Sequence, residues 1–129
     1  MDDFDEWNFL KKDIDAKDSK SIPFLNEGEV WQTAVGRNVG HEQNGPSPSF
    51  MRPALIIKKF NNQLAWVVPL TSKQKPFDFY FNFTDPRGLK AAAILSQLTP
   101  ASPKRMEKML YKMPVEIFLE IKKRLKDYF

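Results

Sequence analysis

The chain of 129 residues is 42% hydrophobic and 13% aromatic, as expected of one folded domain and not of a disordered segment. It has no cysteine, which excludes a disulfide scaffold, a cysteine nucleophile and thiolate metal ligands. The formal charge of +4 is uneven: the first twenty residues carry seven acids against four lysines, and the remainder is basic. A basic body favours polyanionic partners, RNA or DNA, although lysine-rich surfaces also serve solubility alone.

The first predicted element is amphipathic. Trp7, Leu10 and Ile14 recur at helical spacing within a charged stretch, which predicts a short helix lying on the body of the protein or on a partner. A proline and a glycine in SIPFLNEGE mark a linker. We therefore divide the chain into residues 1–26, helix and linker, and 27–129, the main domain. The acidic start MDDFDE is unlike a signal peptide and no apolar run is of membrane-spanning length, so we expect a cytoplasmic protein without membrane contact.

Strand patterns follow. EVWQTAV is rich in β-branched and aromatic residues, and the apolar runs ALIIKKF and LAWVVPL flank Asn61 and Asn62, which are typical of a tight turn between paired strands. PFDFYFNFT alternates with period two, which predicts that its phenylalanines face the core: Phe77, Phe79, Phe81 and Phe83. AAAILSQL follows a turn at DPRG. Five short strands with turns between them predict a small antiparallel barrel.

Helical patterns close the chain. SPKRMEKML predicts a helix with Ser102 as N-cap and Pro103 at its first position. PVEIFLEIKKRLKDYF predicts another, beginning at Pro114, with an apolar stripe formed by Phe118, Ile121, Leu125 and Phe129. The predicted fold class is α+β, mostly β: a small antiparallel barrel with a C-terminal helix and an added N-terminal helix.

Candidate chemical groups surround one loop. His41 and Glu42 follow a predicted strand, and either side chain could take up a proton if its pKa lay near neutrality. Arg52 precedes Pro53, so its backbone is extended, and a guanidinium at a strand mouth can hold a phosphate and stabilise a developing pentavalent anion. The plainer alternatives are a surface histidine, a solvated glutamate and an arginine paired with a carboxylate.

A second loop, PLTSKQK, offers hydroxyl and ammonium groups suited to binding phosphate: Thr71, Ser72, Lys73 and Lys75. An ordinary exit from a strand would look the same. Phe50, in the loop before Arg52, is a candidate for stacking on an RNA base, whereas Trp66 is predicted to lie in the core. With one histidine and no phosphate-cradling glycine loop, the sequence predicts no metal and no cofactor.

Four ordered stretches, GEVWQTAVGRNVGHEQNG, RPALIIKKF, VVPLTSK and AAILSQLTPASPKRMEKM, together resemble the MazF/PemK (Kid) family of toxin–antitoxin endoribonucleases. Their motifs fall at Gly28–Trp31, Gly40–Gly45, Arg52–Pro53 and Pro69–Ser72. The resemblance implies an SH3-like barrel, a homodimer and a cognate antitoxin. It also implies sequence-selective, metal-independent cleavage of single-stranded RNA such as mRNA, in which the 2′-hydroxyl attacks its own phosphate and leaves 2′,3′-cyclic phosphate and 5′-hydroxyl ends.

The same resemblance implies roles for individual residues. Arg52 would be the chief acid and transition-state stabiliser, Thr71 would position the scissile phosphate, and Glu42 would be a candidate base. His41 would help to hold the phosphate. Further candidates for contact with the substrate are Gln43, Phe50, Ser72, Lys73 and Lys75.

Departures from the family pattern leave alternatives open. Some members place a catalytic arginine and aspartate on the last strand, where this chain has Ile94 and Ser96. The loop PSPSFM before Arg52 is longer than in compact members. The alternative function is therefore a barrel that binds nucleic acid or a protein but has lost catalysis. Inhibition of a topoisomerase by a toxin of the same fold has no sequence feature to support it.

Overall fold

The computed structural model describes residues 22–34 and 51–129. These ranges contain seven strands and, near the C-terminus, one α-helix: β1 (Glu29–Ala34), β2 (Met51–Lys59), β3 (Ala65–Thr71), β4 (Tyr80–Thr84), β5 (Lys90–Ile94), β6 (Thr99–Ala101), β7 (Met106–Lys112) and α1 (Val115–Lys126). Single 3-10 turns lie at Leu95–Gln97 and Pro103–Arg105. The predicted N-terminal helix lies outside the described residues.

All pairings between these strands are antiparallel, in the order β4-β5-β3-β2-β1-β7. Strand β3 is where the sheet branches: its beginning pairs with β6, and its last two residues, Leu70 and Thr71, pair with β5. Strands β4 and β5 therefore continue the sheet from the last residues of β3 only. The α+β, mostly β class is thus confirmed, with more strands than the sequence predicted.

The predicted closed barrel is wrong for the described strands. The sheet curls far enough to bring the β4–β5 turn against β7, where the Arg87 guanidinium lies 5.0 Å from the centre of the Tyr111 ring. However, the two edge strands, β4 and β7, share no backbone ladder. The contact between Arg87 and Tyr111 is one of side chains, whereas closure requires strand tilt and stagger that align peptide groups across the seam.

Apolar side chains are buried on both faces of the sheet. In β2, Leu55 and Ile57 join the core beneath α1, and Ala54 and Ile56 join a smaller core on the opposite face that includes Leu25. Successive side chains of a strand point to opposite faces, so a strand covered on both sides reads as an unbroken apolar run. This explains ALII in β2 and VV in β3.

Helix α1 covers the larger core with part of its predicted stripe. Ile121 and Leu125 are buried, but Phe129 at the end of the stripe is 91% exposed. Pro114 is the N-cap and not the first helical residue. Gly28, with φ of +92°, presents its bare Cα to the Phe118 ring: a β-carbon there would lie 3.6 Å from the ring. An L side chain rarely adopts this backbone conformation, so glycine suits the position.

The helix predicted at SPKRMEKML is wrong. The Ser102 Oγ does accept a hydrogen bond from Lys104 N at 3.2 Å, but it caps only the 3-10 turn. The chain then continues as β7 because its backbone pairs with β1, for example Met106 with Thr33. Pairing with a strand that is distant in sequence outweighs the modest helix propensity of this stretch.

The aromatic predictions are only partly confirmed. Of the alternating phenylalanines, Phe83 is buried and Phe81 is half-buried, whereas Phe77 and Phe79 lie before β4 and are exposed. Trp66, predicted as core, is 40% exposed. The turn predictions are confirmed: the Asn61 side-chain oxygen accepts hydrogen bonds from Gln63 N and Leu64 N, and Asp85 Oδ1 accepts from Arg87 N in the DPRG turn.

Candidate active site

Arg52 lies at the open end of β2, with an exposed side chain. Its backbone pairs with Thr33 of β1, a buried residue whose hydroxyl is 3.1 Å from Trp31 O and 3.2 Å from the Met106 sulfur. Pro53 follows and pairs with Gln32. The guanidinium is therefore attached to a strand whose register is set by β1 and whose φ is restricted at the next residue. Such an anchor positions a cation without burying it.

Thr71 occupies the last position of β3. The β2–β3 ladder pairs Ala54 with Pro69, and the same register extended by two residues places Arg52 level with Thr71. Side-chain alternation puts both on the face of the sheet that carries Ala54 and Val67. The Thr71 hydroxyl accepts a hydrogen bond from Lys73 N at 3.1 Å, which shapes the exit from the strand. The two sequence candidates thus share one level and one face.

Arg52 lines a groove of about 980 Å³ that follows this face. Ala54, Val67 and Pro69 contribute to it from the strands, and the segment from Gln97 to Ser102 forms another side. Arg105 also lines the groove, as does Thr33. Thr71 does not line the groove itself. Pro69, which lies two positions earlier on the same face of β3, does line it. We call this feature the Arg52 groove.

Sequence reasoning missed Arg105 because it assigned that residue to a helix. In the structure Arg105 ends the 3-10 turn that begins after Ser102, immediately before β7 pairs with β1. The sequence signal that could have located it is the Ser-Pro pair, which marks a turn as readily as a helix start. With Arg105, the groove has two arginines on its lining, and both suit a polyanion.

The loop after β3 is exposed and carries the predicted substrate contacts Ser72, Lys73 and Lys75. It is attached to the β4–β5 hairpin by Gln74, whose side-chain amide donates to Phe83 O at 3.0 Å and to Ala91 O at 2.9 Å. The Asn82 amide donates to Lys75 O at 3.0 Å. Gln74 was not predicted, yet it holds the loop beside the end of β3.

The remaining predicted site residues, His41, Glu42, Gln43 and Phe50, lie outside the described residues, so their roles stay predictions. Ile94 and Ser96 are the two positions where the resemblance led us to look for catalytic groups; Ile94 is buried and Ser96 is exposed in a 3-10 turn. Neither side chain can serve as an acid–base group at neutral pH.

The first motif of the resemblance, at Gly28–Trp31, has a structural role here. The buried Glu29 carboxylate accepts hydrogen bonds from Trp31 Nε1 at 2.9 Å, from Asn26 N at 3.0 Å and from Asn26 Nδ2 at 3.2 Å. Burial alone would raise the pKa of Glu29, but these bonds and the charge of Lys112 outweigh it and hold the pKa below the ordinary value. Glu29 therefore stays ionised and joins β1 to the preceding turn.

Within the described ranges, His, Asp and Glu side chains form no group of three or more that could hold a metal ion. No helix in the same ranges has the length and apolar character needed to cross a bilayer. The polar side chains that line the Arg52 groove are arginine, hydroxyl and amide groups, which can bind anions and polarise phosphate oxygens.

The open, curled antiparallel sheet with a C-terminal helix is a fold that this chain shares with solved structures of MazF toxins. Residues 26–129 match the family described as PemK-like, MazF-like toxin of type II toxin-antitoxin system. The chain belongs to this family. Sequence comparison with curated proteins finds no match.

Solved structures agree on the fold. MazF from Deinococcus radiodurans aligns with a TM-score of 0.64 over 82% of this chain and 96% of its own, at 20% identity. A MazE–MazF complex from the same organism aligns with a TM-score of 0.61. The alignment covers 82% of this chain and 96% of the matched chain, at 21% identity. An endoribonuclease in complex with its cognate antitoxin, from a Mycobacterial species, aligns with a TM-score of 0.59. That alignment covers 81% of this chain and 93% of the matched chain, at 14% identity.

Proposed function

We propose that this chain is the toxin of a toxin–antitoxin pair and acts as a sequence-selective endoribonuclease on single-stranded RNA. The observation that carries the proposal is the placement of Arg52 on the lining of a 980 Å³ groove, level with Thr71 on the same face of the sheet. A groove with two arginines and a hydroxyl-bearing strand end beside it fits a phosphodiester backbone. Membership of the MazF-like toxin family supports the same reading.

In the proposed reaction the ribose 2′-hydroxyl attacks the adjacent phosphorus, and the bond from phosphorus to the 5′ oxygen breaks. The products are a 2′,3′-cyclic phosphate and a 5′-hydroxyl. Arg52 stabilises the charge that develops on the phosphate oxygens and supplies the proton for the leaving 5′ oxygen, while Thr71 orients the phosphate. Glu42 takes the proton from the 2′-hydroxyl, and His41 helps to hold the phosphate. No step in this scheme requires a metal or a cofactor.

The RNA strand beyond the scissile phosphate would run along the loop after β3. Ser72, Lys73 and Lys75 are exposed there and can contact phosphates, and Arg105 adds a second cation to the lining of the Arg52 groove. Gln43 and Phe50 are proposed to contact bases. Sequence preference would then come from the loop that carries these two residues.

We further propose that the protein is a cytoplasmic homodimer neutralised by a cognate antitoxin. The fold is shared with a MazE–MazF complex and with an endoribonuclease bound to its antitoxin, which supports a protein partner of this kind. A segment with acidic side chains would suit the arginine-lined groove because it would occupy the place of the RNA phosphates. The main domain is residues 27–129, in keeping with the family match over 26–129.

The test is cleavage of a long single-stranded RNA in the presence of EDTA, with analysis of the new ends. Wild type is expected to leave 5′-hydroxyl ends, and Arg52→Ala to cut more slowly by roughly 10²–10³-fold or more, since it removes a charged donor to the transition state. Lys123→Ala, which removes an exposed charge on α1, is the matched control and should cut like wild type. Intact RNA with wild type, or equal rates for both variants, would refute the proposal.

The second candidate is a binding module without catalysis. It is favoured by the burial of Ile94 and the neutral Ser96 where some family members carry an arginine and an aspartate. This candidate predicts RNA binding that weakens steeply with salt and no cleavage by wild type. The same assay therefore separates the two functions.

A further inference from the structure

A second groove lies on the other side of the molecule's sheet, between the β2–β3 hairpin and α1. Its volume is about 290 Å³, near the lower limit of pockets that enclose small molecules. Its lining is almost wholly apolar and comes from Ile57, Phe60, Trp66, Leu98, Leu125 and Phe129. Three lysines stand at its rim: Lys58, Lys122 and Lys126. We call it the lysine-rimmed groove.

The aromatic wall of this groove is exposed in the described part of the chain. Phe60 and Trp66 pack edge to face with ring centres 5.1 Å apart, and they are 45% and 40% exposed. Lys58 Nζ lies 5.9 Å from the Phe60 ring. A contiguous set of exposed large apolar side chains beneath a polar rim is typical of a surface that another segment covers. That segment must combine apolar side chains with negative charge to suit three lysines.

Residues 1–21 have this composition. Trp7, Leu10 and Ile14 are spaced to fall on one side of a helix, and seven carboxylates stand against four lysines in the same segment. The rest of the chain is basic, so this is the acidic stretch of the sequence. Apolar anchors would fill the groove while carboxylates approach the lysine rim.

The chain also enters the described structure at the end of β2 that carries this groove, although Leu25 itself packs into the core on the opposite face of the sheet. Two residues after the first described position, the Phe24 ring packs 3.4 Å from Lys59 Nζ. Glu27 Oε2 accepts a hydrogen bond from Lys59 N at 3.0 Å. Lys59 lies between Lys58 and Phe60 in sequence, and both of these line the groove. Twenty-one residues can span up to ~70 Å when extended, so the distance is easily bridged.

From this charge complementarity, the apolar lining and the point of entry, we infer that residues 1–21 dock in the lysine-rimmed groove of their own chain. Leu98 lines both this groove and the Arg52 groove, so the docked segment would place negative charge next to the proposed RNA path. The inference does not depend on RNA cleavage, because it concerns a different surface and a different readout.

Cross-linking of the full chain tests the docking directly. A carbodiimide joins carboxylates to lysines in contact, and an equal mixture of heavy-isotope and unlabelled chains distinguishes links within a chain from links between chains. We expect peptides from residues 1–21 to be joined to Lys58, Lys122 or Lys126 within one chain. Equal joining to Lys90 and Lys108, which are exposed on β5 and β7, would overturn the inference. Mixed-label links as abundant as same-label links would overturn it too, and would indicate a second copy as the occupant.

Fluorescence quenching provides a readout that does not rely on cross-linking chemistry. In full chains that carry Trp7→Phe, acrylamide quenching reports the exposure of Trp66 against a constant contribution from Trp31. Replacing Leu10 and Ile14 by serine should lower the docked-to-undocked ratio by roughly tenfold or more, and quenching should rise. Asn8→Ser is the matched polar control. Equal quenching in the Leu10→Ser, Ile14→Ser chain and the control would refute intramolecular docking, including the case in which only a separate partner fills the groove.

Discussion

At the scale of single residues, buried polar groups at strand ends hold the turns and strands of the sheet in position. Glu29 joins β1 to the turn before it, and the buried Thr33 lies directly opposite Arg52 on the neighbouring strand. At the other end of the sheet, Asp85 accepts hydrogen bonds from the Arg87 side chain at 2.7 Å and from Leu89 N at 3.0 Å. Burial alone would raise the pKa of Asp85, but these bonds hold it below the ordinary value. The hydrogen-bond donors to each carboxylate lie within a few residues of it in sequence. The turn that carries the carboxylate therefore also supplies its hydrogen-bond donors.

Glu29 should make the fold sensitive to acid. Its pKa in the folded protein lies below the ordinary value of 4.5, so its stabilising effect is present above that pH and is lost as pH falls through the lowered folded pKa. Glu29→Gln should reduce the free energy of unfolding at neutral pH by ~1–3 kcal/mol, because a carboxylate with three donors is replaced by an amide. Urea unfolding measures this loss.

The difference between Glu29→Gln and wild type should be smaller in acid than at neutral pH, because the wild-type carboxylate is protonated as pH falls through its lowered folded pKa. Glu107→Gln, an exposed position on β7, controls for removal of a negative charge. A destabilisation of equal size at both pH values would show that ionisation of Glu29 does not contribute.

Tyr111 should show the opposite dependence on pH. Burial raises its pKa to about 12, the nearby Asp85 carboxylate adds to the rise, and Arg87 opposes it. The neutral phenol therefore contributes stability that is complete below the ordinary value of 10.0 and is lost as pH rises toward about 12. In a near-ultraviolet titration, Tyr111→Phe should remove the phenolate step at about pH 12. An unchanged titration curve would contradict this assignment.

At the scale of elements, two similar polar sequences adopt different structures because of what they contact. MEKMLYK forms β7 because β1 supplies backbone partners along its length, whereas VEIFLEIKKRLK forms α1 because its apolar positions recur at helical spacing over the larger core. Local propensity favoured a helix in both. Only for α1 did the apolar spacing also match the surface on which the segment packs.

The contribution of α1 should reside on one of its faces. Ile121 is fully buried, and Ile121→Ala should lower the free energy of unfolding by roughly 2–5 kcal/mol through lost burial and a cavity. Leu119, 57% exposed on the same helix, is the matched control, and Leu119→Ala should change stability by less than about 0.5 kcal/mol. Denaturant unfolding compares them. Equal losses would mean that α1 does not pack through Ile121.

At the scale of the whole molecule, charge and shape act together. The sheet curls without closing, which leaves the Arg52 groove on one face and the lysine-rimmed groove beside α1. The body of the chain is basic and its first twenty residues are acidic. A molecule of this kind attracts polyanions over distances set by the salt concentration. If the acidic segment docks as inferred, its negative charges reduce the attraction that the basic body exerts on polyanions.

The affinity for RNA should therefore fall with salt concentration, and the slope of that fall should report the number of phosphates that the protein neutralises. A single-stranded RNA whose cleavage position is 2′-deoxy cannot undergo the proposed attack, so it reports binding alone. The logarithm of its affinity should fall linearly with the logarithm of salt concentration, with a slope of about 0.7 for each phosphate neutralised. Lys73→Ala should reduce the size of that slope by about 0.7, the amount for one phosphate contact, and Lys123→Ala should leave it unchanged. Equal slopes for wild type and both variants would place Lys73 away from the RNA.

The sequence alone determined much of the strand content, the turns at Asn61 and DPRG, the C-terminal helix and the family motifs around Arg52 and Thr71. These depend on alternation, helical spacing and turn chemistry, all of which act between residues close in the chain. The candidates His41, Glu42, Gln43 and Phe50 remain predictions from sequence.

Only the tertiary structure decided that MEKMLYK is a strand, that the sheet stays open, that Phe77, Phe79 and Trp66 are exposed, and that Arg105 and Gln74 belong beside the site. Each of these depends on which distant segment supplies backbone partners or covers a side chain. Pairing of strands far apart in sequence follows from the whole set of contacts and not from any local pattern, because the same residues can satisfy their backbone in a helix or in a ladder.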